Sequence, residues 1–542
     1  MDATYKVKLI NLKKKWRFYR KNRRNIYIIG FFYKKSDLDL VKILSTLKPE
    51  NIKLFLNEID GNFAIILEGK SFFLASVDRI CSYPLIYANI EDTIYVSDNG
   101  FNLKEQLNLK VEDIDTKVSK VFAMSGFTIG NKTIYKKVFN LCAGEFIWIT
   151  SKKITLNNYY NWKPWIASKS GNNIDRLKNI NELIIKKLIY SCNGRQIVLP
   201  LSSGWDSRFI ASGLRHFGYK NVLCLSYGRK RNIEIKIAKK VAKKLGYNWI
   251  QIEYTPSKVK NNYHTLDYRE YENYCDNLNA IHFIGEYSML KELKEKNIIK
   301  KDAIFVNGQS GDFITGNHIP EGIDSSTSSE KIIINKYIFK HNKYWKKLMI
   351  KDQFKITNTL LKNQINKLLS NKIRKQRVNM HGLYEALEFH NRQVKYVING
   401  VRNYEYFGFE WRMPLWDYEY LKFWQAAHYN NKKKQKLYKT SILEANWGEV
   451  WNDIPINPQS SIPTIMKIIR FIFKIQFNFI GRSKWHNFER KYLEYFFDDL
   501  EAYRPWPYRK IFFDKRIHFS SISWYIEDYL KRKKLLWNGK KI

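Results

Sequence analysis

A short loop of small and polar residues, Ser202-Ser203-Gly204-Trp205-Asp206-Ser207, follows an apolar run over residues 196–201. When a strand passes through such a loop into a helix, backbone N–H groups and the positive end of the helix dipole favour a bound phosphate. The serine hydroxyls can donate to phosphate oxygens, Gly204 permits close backbone approach, and Asp206 can hold Mg²⁺ against the phosphates. The spacing of a Walker loop is absent. The loop therefore predicts a phosphate site of another kind, with an ordinary turn as the alternative.

The segments on either side of this loop must position it, and they alternate between strand and helix patterns. Helices are predicted over residues 174–191, 208–217 and 233–245, and strands over residues 196–201, 222–227, 249–253 and 304–306. Strands that alternate with helices of roughly ten residues predict a parallel, doubly wound sheet. Residues 317–329 form a polar loop suited to a mobile lid, and residues 333–460 have a helical pattern.

Residues 1–165 have a different pattern, in which short apolar runs of strand type dominate. These runs cover residues 26–29, 31–33, 63–67, 71–75, 93–97 and 145–150. The runs at 63–67 and 71–75 flank Glu68-Gly69-Lys70, which is a hairpin signal. Helical spacing is clear only around residues 38–47, so we expect a β-rich unit here.

The loop at residues 202–207 resembles the PP-loop of ATP pyrophosphatases, whose usual form is Ser-Gly-Gly-x-Asp-Ser, with Ser203 in place of the first glycine. The resemblance implies a fold that cleaves ATP between its α- and β-phosphates and transfers AMP to a substrate. The run Ser226-Tyr227-Gly228, at a strand end, looks like the nucleotide-side element of the same fold. The ATP-binding residues implied are Leu201, Ser202, Ser203, Gly204, Asp206, Ser207, Ser226, Gly228 and Gly308.

Three other segments resemble the asparagine synthetase and β-lactam synthetase family. Residues 56–64, with those at 77–79 and 83–87, are similar to its glutaminase-like N-terminal domain. Residues 307–312 resemble its Ser-Gly-Glu-Gly-x-Asp-Glu loop, and residues 409–417 its Leu-Glu-x-Arg-x-Pro-Phe-Leu-Asp segment. With the phosphate loop, four pieces stand in the family's order. The resemblance implies an α/β fold: an N-terminal β-rich, Ntn-hydrolase-like sandwich, then a doubly wound parallel-sheet PP-loop synthetase domain with a helical C-terminal part.

The resemblance also marks candidates for metal binding and catalysis. Asp206 and Asp312 lie on loops at strand ends, and two such carboxylates can supply the Mg²⁺ that neutralises a triphosphate during adenylation. We therefore predict that they share one site. Lys439 sits where the family has a catalytic lysine, which can stabilise the charge that develops beside the leaving phosphate. The alternative for Lys439 is a solvated basic run with Lys432-Lys433-Lys434 and Lys436.

The chain departs from the family at two places. Position 2 is Asp2 and no cysteine precedes Cys81, whereas family glutaminases use an N-terminal cysteine as both nucleophile and base. We therefore predict a structural relic without glutaminase activity. Gln309 stands where asparagine synthetases carry a glutamate, so the product need not be asparagine. Glu385 or Glu388, on a later helix, could replace that carboxylate; the alternative is that both are exposed helix charges.

Composition narrows the function classes only slightly. The net charge is +43 and 44% of the residues are hydrophobic, which excludes wholesale disorder. A basic chain suits RNA, anionic lipid or anionic metabolites, but Lys, Asn and Ile are abundant throughout, as an AT-rich genome would produce. The five scattered cysteines contain no C-x-x-C pair, which argues against disulfides and structural zinc and favours the cytosol. No secretory leader and no spanning run is visible.

Residues 464–480 carry a separate signal. Lys467, Arg470 and Lys474 recur at helical spacing opposite a set of isoleucines, which is the pattern of an in-plane membrane helix. Residues 473–479, however, alternate strictly, as in a strand. A packed element and a peripheral membrane contact are the two interpretations.

We therefore predict three units: a degenerate glutaminase-like domain (1–165), a PP-loop synthetase domain (170–460, with a lid or insertion at 317–380), and a basic aromatic extension (461–542). The hypothesis is an ATP- and Mg²⁺-dependent cytoplasmic ligase that adenylates a carboxylate and transfers it to an amine or ammonia. Relatives among surface-polysaccharide genes suggest a carboxylated sugar. The alternatives are a PP-loop tRNA-modifying ligase, although the glutaminase-like segments argue against a nucleic-acid partner, and a catalytically inactive scaffold.

Overall fold

The computed structural model describes residues 5–166, 174–323, 329–348, 351–369, 378–458 and 462–535. Its strands are β1 (Lys6–Leu9), β2 (Arg17–Lys21), β3 (Arg24–Phe32), β4 (Gly61–Glu68), β5 (Phe72–Val77), β6 (Ile86–Ile90), β7 (Thr93–Ser97), β8 (Val138–Asn140), β9 (Glu145–Thr150), β10 (Ile154–Asn158), β11 (Ile197–Pro200), β12 (Val222–Gly228), β13 (Asn248–Glu253), β14 (Ile304–Val306) and β15 (Glu410–Arg412).

The α-helices up to the middle of the chain are Asp37–Leu44, Ile52–Glu58, Gly100–Gln106, Thr116–Ser125, Ile174–Cys192, Trp205–His216, Ile233–Lys244, Pro256–Tyr263, Leu266–Cys275 and Tyr287–Glu295. Those that follow are Gly311–Ile314, Glu330–His341, Lys351–Leu368, Met380–Glu388, Arg402–Tyr406, Tyr418–Gln425, Tyr429–Lys432, Lys436–Ala445, Thr464–Asn478, Arg482–Phe488, Tyr508–Phe513 and Ile522–Arg532. A π-helical stretch, Phe389–Val397, continues the helix that ends at Glu388.

Two sheets form the N-terminal part. A six-stranded antiparallel sheet has the order β10-β9-β5-β4-β3-β2, and a four-stranded sheet has the order β1-β7-β6-β8. Ile66 of β4 and Ile94 of β7 belong to one apolar cluster between the sheets. Leu44 and Leu56, from two helices, belong to the cluster on the other face of the larger sheet. The predicted β-rich unit is confirmed, and helices cover it to a greater extent than the sequence pattern indicates.

The five-stranded sheet of the second part has the order β13-β12-β11-β14-β15, with parallel pairing throughout. The predicted parallel sheet and its first four strands are confirmed. The strand order reverses between β11 and β14, and ligands of such sheets bind beyond the carboxyl ends of the strands at this point. The first three residues of β11 and all three of β14 are fully buried and apolar, as expected for strands covered on both faces.

Strand β15 corrects the prediction that residues 333–460 are helical throughout. Glu410, Trp411 and Arg412 pair with Ile304, Phe305 and Val306 of β14. Three residues are too few to show strand alternation in the sequence, so this strand exists because β14 offers an open edge.

Residues 462–535, for which the sequence suggests no motif, fold into helices that join the main body. Tyr503, Trp506 and Trp524 lie in the same apolar cluster as the parallel sheet. The strand pattern at 473–479 is wrong, because the helix Thr464–Asn478 continues through it. Met466, Phe473 and Phe477 on one side of this helix pack with Trp485 and Leu493, and this contact fixes the helical conformation.

Several sequence predictions fall partly outside the described residues. Asp2 is one of them, and residues 324–328, 349–350 and 370–377 of the predicted lid and insertion are others. Across the part of the chain that the structure describes, no helix has both the length and the apolar content needed to cross a membrane.

Candidate active site

The loops after β11 and β14 meet at the carboxyl edge of the parallel sheet. The backbone N–H of Asp312 donates to Oδ2 of Asp206 at 3.0 Å. A Cβ atom on Gly308 would lie 2.9 Å from Cβ of Asp206, and one on Gly311 would lie 2.5 Å from its Cγ. Both glycines are therefore required for the approach of the two loops. The structure brings together the two aspartates that the sequence predicts to share a site.

Hydrogen bonds to its own serine hydroxyls fix the conformation of the phosphate loop. The backbone N–H of Ser202 donates to Oγ of Ser207, and that of Gly204 to Oγ of Ser202, both at 3.1 Å. The hydroxyl of Ser203 is buried and has no hydrogen-bond partner among the described residues. The helix that begins at Trp205 adds the partial positive charge of its N-terminus. This geometry suits a phosphate group.

Arg208 ties the loop to a distant part of the chain. Its guanidinium is fully buried and donates to the carbonyl oxygens of Ser203 at 3.1 Å, Val450 at 3.0 Å, Ile454 at 2.9 Å and Pro455 at 2.7 Å. Because four carbonyl oxygens share one rigid cation, the loop has little freedom to change shape.

The pair of aspartates concentrates negative charge. Burial, reinforced by the charge of Asp312, raises the pKa of Asp206 to about 7. Tyr438 donates its hydroxyl to Oδ1 of Asp206 at 2.8 Å. Burial would also raise the pKa of Asp312, but the hydrogen bond from His318 outweighs it and lowers that pKa. A cation placed between the two loops would relieve this repulsion.

A histidine links Asp312 to Glu388. Nε2 of His318 lies 3.0 Å from Oδ2 of Asp312, and its Nδ1 is hydrogen-bonded to Glu388. Burial lowers the pKa of His318, but the charge of Glu388 and the two hydrogen bonds raise it to about 9. Glu388 is fully buried and also accepts from Gln393 at 3.1 Å. The alternative that Glu388 is an exposed helix charge is wrong.

Sequence reasoning missed His318 because it lies in the polar loop assigned to a lid. The part of that loop before residue 324 contacts the site, since the backbone N–H of Asn317 donates to the carbonyl of Asp312 at 2.8 Å. No local pattern marks the histidine, as its partners are six and seventy positions away.

Glu385 is also buried, which again rules out an exposed charge. Both of its oxygens accept from the ammonium of Lys432, at 2.9 and 2.8 Å, and neither side chain is exposed to solvent. Lys432 is therefore a core residue rather than part of a solvated basic run. Its neighbours Lys433 and Lys434 are exposed, as that interpretation expected.

A cavity of about 410 Å³ opens beside the two aspartates. Gln309 lines it, and Oε1 of Gln309 is buried without a hydrogen-bond partner among the described residues. Glu286 lines it too. Tyr227 donates to Oε1 of Glu286 at 3.3 Å, whereas Oε2 has no partner among the described residues. Burial raises the pKa of Glu286 to about 7.

Glu286 is a second residue that sequence reasoning missed. It is the N-cap of the helix Tyr287–Glu295 and follows a segment without regular structure. An acidic residue near a helix N-terminus is ordinary, because the helix dipole favours it there, so only its position beside the cavity distinguishes Glu286.

Residues 194–445 match the asparagine synthase family model. This region is an asparagine synthase domain. The match contains the phosphate loop, both aspartates, Gln309 and Lys439, and it indicates in general terms an ATP-dependent ligase of the amidotransferase type.

Similar solved structures include the allosteric regulatory enzyme of purine biosynthesis, at 11% identity over 53% of this chain and 71% of that chain, with a TM-score of 0.20. Another is the glutamine phosphoribosylpyrophosphate amidotransferase from B. subtilis complexed with ADP and GMP, at 8% identity over 54% and 63%, with a TM-score of 0.19. At these TM-scores the similarity carries no structural argument. No curated protein matches the chain.

A second cavity of the synthase domain, about 290 Å³, adjoins the first. The two share Pro200, Ser202 and Tyr227 in their walls. Leu201 and Ser226 line the second cavity, and the hydroxyl of Ser226 donates to the Leu201 carbonyl at 2.7 Å. Asp499 and Leu500 of the C-terminal extension close one side. Gly228 has a φ of 131° and meets this segment directly, because a Cβ there would lie 3.0 Å from the Asp499 carbonyl oxygen.

Lys439 lies near the first cavity of the synthase domain but does not line it. Its Nζ is 5.6 Å from the ring centroid of Trp205, a residue of the cavity wall, and donates to the carbonyl of Lys434 at 3.0 Å. Partial burial lowers its pKa. The neighbouring Tyr438 makes the direct contact with Asp206, so the catalytic role of Lys439 stays a prediction.

The cysteines are structural in character. All five are free thiols, and burial raises the pKa of each. A nucleophilic thiol needs the opposite shift, so none of these side chains is activated.

Proposed function

We propose that the chain uses ATP to adenylate a carboxylate and then transfers the acyl group to an amine or ammonia. In the first step a carboxylate oxygen attacks the α-phosphate and pyrophosphate leaves. In the second step the amine attacks the acyl carbon, and an amide, AMP and a proton are released. The contact between the Asp206 and Asp312 loops above the phosphate loop, inside an asparagine synthase domain, is the observation that supports this most strongly.

The two adjoining cavities suggest how ATP lies. We assign the adenosine to the smaller cavity beside Leu201, Ser226 and Gly228, and the phosphates to the loop at residues 202–207, which forms part of both cavity walls. Gly308, which has no room for a side chain, lets the second loop approach the phosphates. The larger cavity then receives the carboxylate substrate, and its volume is sufficient for a sugar acid.

We expect Mg²⁺ to bind between the two loops. No group of three or more His, Cys, Asp or Glu side chains that could hold a metal occurs within the described ranges, but Mg²⁺ is commonly bound by one or two carboxylates together with substrate phosphates. Asp206 and Asp312 would hold the ion. When bound, it would neutralise the triphosphate and assist the departure of pyrophosphate. Burial and, after it, the charge of Asp312 raise the pKa of Asp206, and a bound cation would offset both by favouring the carboxylate.

His318 and Glu388 act as positioning residues in this proposal. The protonated imidazole fixes the carboxylate of Asp312, and Glu388 fixes the imidazole from the other side. Such outer carboxylate–histidine pairs orient metal ligands and tune their basicity.

Glu286 is proposed as the proton acceptor for the amine. The attacking nitrogen must lose a proton, and a carboxylate whose pKa is near neutrality can accept it. Glu286 lines the larger cavity, and its Oε2 has no hydrogen-bond partner among the described residues. Gln309 can only accept or donate hydrogen bonds and orients the same nitrogen. Lys439 would stabilise the leaving phosphate after its Nζ turns away from the Lys434 carbonyl.

The N-terminal unit supplies no ammonia in this scheme. Its stacked sheets with helices outside support a relation to the Ntn-hydrolase-like glutaminase domain of the family. The sequence has Asp2 where a catalytic cysteine would stand, and the buried thiols are not activated. We propose that this unit is a structural relic and that the amine or ammonia arrives from solution.

ATP–pyrophosphate exchange tests the proposal. Purified protein is incubated with ATP, Mg²⁺ and labelled pyrophosphate in the presence of single carboxylates, including amino acids and sugar acids. Label should enter ATP with at least one carboxylate, because adenylation is reversible until an amine attacks. ATP binding without exchange for any carboxylate, including those carried on tRNA, would instead favour an inactive scaffold.

A further inference from the structure

The helix Thr464–Asn478 has two apolar sides, and the protein covers only one of them. Met466, Phe473 and Phe477 pack inward. The opposite side is exposed and continues past the helix end. We call it the apolar face; its members are Ile465, Ile468, Phe471, Ile472, Ile475, Phe479 and Ile480, which are between 48% and 94% exposed. A contiguous exposed surface of seven large apolar side chains marks an interaction site.

Exposed basic residues flank this face. Lys467 and Lys474 are exposed beside it, and Arg482 and Lys484 are exposed just beyond Gly481. Arg470 also lies on the helix and pairs with Glu489. Residues 464–488 therefore contain five Lys or Arg and no Asp or Glu. The partner of this surface must accept apolar side chains in its centre and carry negative charge around them.

We propose that this segment docks in the plane of an anionic lipid surface. An interfacial helix buries its apolar side chains at the boundary of the acyl chains while lysines reach the phosphate headgroups. The helix does not cross the membrane, since it has 15 residues and three basic side chains. A second copy of the chain fits less well, because two such surfaces would bring eight exposed positive charges together. The proposal is independent of the reaction in the synthase domain.

Vesicle flotation tests this with matched variants. The full chain is mixed at low salt with vesicles of phosphatidylcholine and phosphatidylglycerol, or of phosphatidylcholine alone. The test variant is Ile468→Ser/Phe471→Ser/Ile472→Ser/Ile475→Ser. The control is Leu38→Ser/Leu54→Ser, which removes two equally exposed apolar side chains, 74% and 62% exposed, from N-terminal helices. Thermal melting of each variant shows whether the fold is retained.

The wild type and the control should float with the anionic vesicles, and the face variant should lose roughly tenfold or more of the partition coefficient. Lys467→Gln/Lys474→Gln should weaken binding to anionic vesicles only, whereas Lys240→Gln/Lys243→Gln on another helix should not. Salt should weaken binding, because the charges are exposed. Failure of the wild type to float at low salt, or equal flotation of the folded face variant, would overturn the proposal. Concentration-dependent dimers that the face variant abolishes, without flotation, would assign the face to a second copy and also overturn it.

Discussion

Two regions of the molecule bury carboxylates in opposite ways. In the N-terminal unit Asp78 is buried, and its oxygens accept from the backbone N–H groups of Phe63 and Ile80 at 2.8 Å and from the hydroxyl of Ser82. Beside the phosphate loop, Glu286 is equally buried and lines a cavity, but its Oε2 has no hydrogen-bond partner among the described residues. The first carboxylate holds a turn together, and the second keeps an unfilled acceptor position beside the cavity.

The comparison teaches that burial alone does not identify a functional carboxylate. A buried charge whose acceptor positions are filled by the protein contributes to the fold. A buried carboxylate with an unfilled acceptor position destabilises the folded protein. Such a group is retained where a bound ligand supplies the missing hydrogen-bond donor. Asp78 and Glu385 belong to the first kind, and Glu286 belongs to the second.

The largest effect is expected at the paired loops. Asp206→Asn and Asp312→Asn should each keep the fold and reduce ATP–pyrophosphate exchange by roughly 10³-fold, because each removes charge that holds the metal. The double variant should be little worse than either single one, since the two residues act as a unit. Asp302→Asn, an exposed aspartate just before β14, serves as the control. Full exchange in either single variant would show that no metal is shared.

The next largest effect is expected on the stability of the fold, at the buried ion pair Glu385–Lys432. Glu385→Ala should lower the free energy of unfolding by about 3–5 kcal/mol, because it leaves a buried ammonium without a partner. Glu385→Leu/Lys432→Met should recover most of this loss and keep exchange activity, as measured by denaturant unfolding and by the exchange assay. Loss of exchange activity in a stable double variant would show that Glu385 has a role in the reaction beyond its ion pair with Lys432.

A smaller and more selective effect is expected at Glu286. Glu286→Gln should leave ATP–pyrophosphate exchange within a few-fold of the wild type but slow amide formation by roughly 10²-fold, because proton transfer to the carboxylate is lost. Glu295→Gln, an exposed glutamate on the same helix, is the control.

The pH profile sharpens this assignment. A base works in its deprotonated form, and burial raises the pKa of Glu286 to about 7. In the wild type at saturating Mg²⁺, which keeps Asp206 ionised, kcat/KM for amide formation should therefore rise with pH up to about 7 and then level off, and this acid limb should disappear in Glu286→Gln. An unchanged limb in the variant would assign the titration to another group.

Removing the histidine link should have a moderate effect on metal binding. His318→Gln should raise the Mg²⁺ concentration for half-maximal exchange by roughly 10–100-fold, since outer partners of metal ligands have effects of this size. His486→Gln, at an exposed position of the C-terminal extension, is the matched control. An identical Mg²⁺ titration would mean that His318 and Glu388 serve the fold alone.

The N-terminal unit is expected to have no glutaminase activity, and substitutions in it should therefore not change glutamine hydrolysis. Incubation of the protein with glutamine and ATP should release no glutamate, and Cys81→Ser and Cys142→Ser should change nothing, because burial keeps both thiols protonated. Clear glutamate release would contradict the absence of an activated nucleophile in this region.

The sequence determined the parts of this protein that depend on local physics. The apolar run of β11, the Ser/Gly loop after it and the helix from Trp205 follow from hydrophobic periodicity and from the dipole of a helix N-terminus. Alternating strands and helices then imply a parallel sheet, and its switch point brings Asp206 and Asp312 together although 106 positions separate them.

Only the tertiary structure decided which buried carboxylates have all their hydrogen-bond acceptor positions occupied by the protein and which do not. Glu385 and Glu388 look like exposed helix charges in the sequence, and they are buried because Lys432 and His318 reach them from segments 47 and 70 positions away. The position of Glu286 beside the first cavity and that of Asp499 in the wall of the second likewise depend on packing between segments that are distant in the sequence. Local patterns carry no information about such partners, since the desolvation of a charge depends on every element that packs around it.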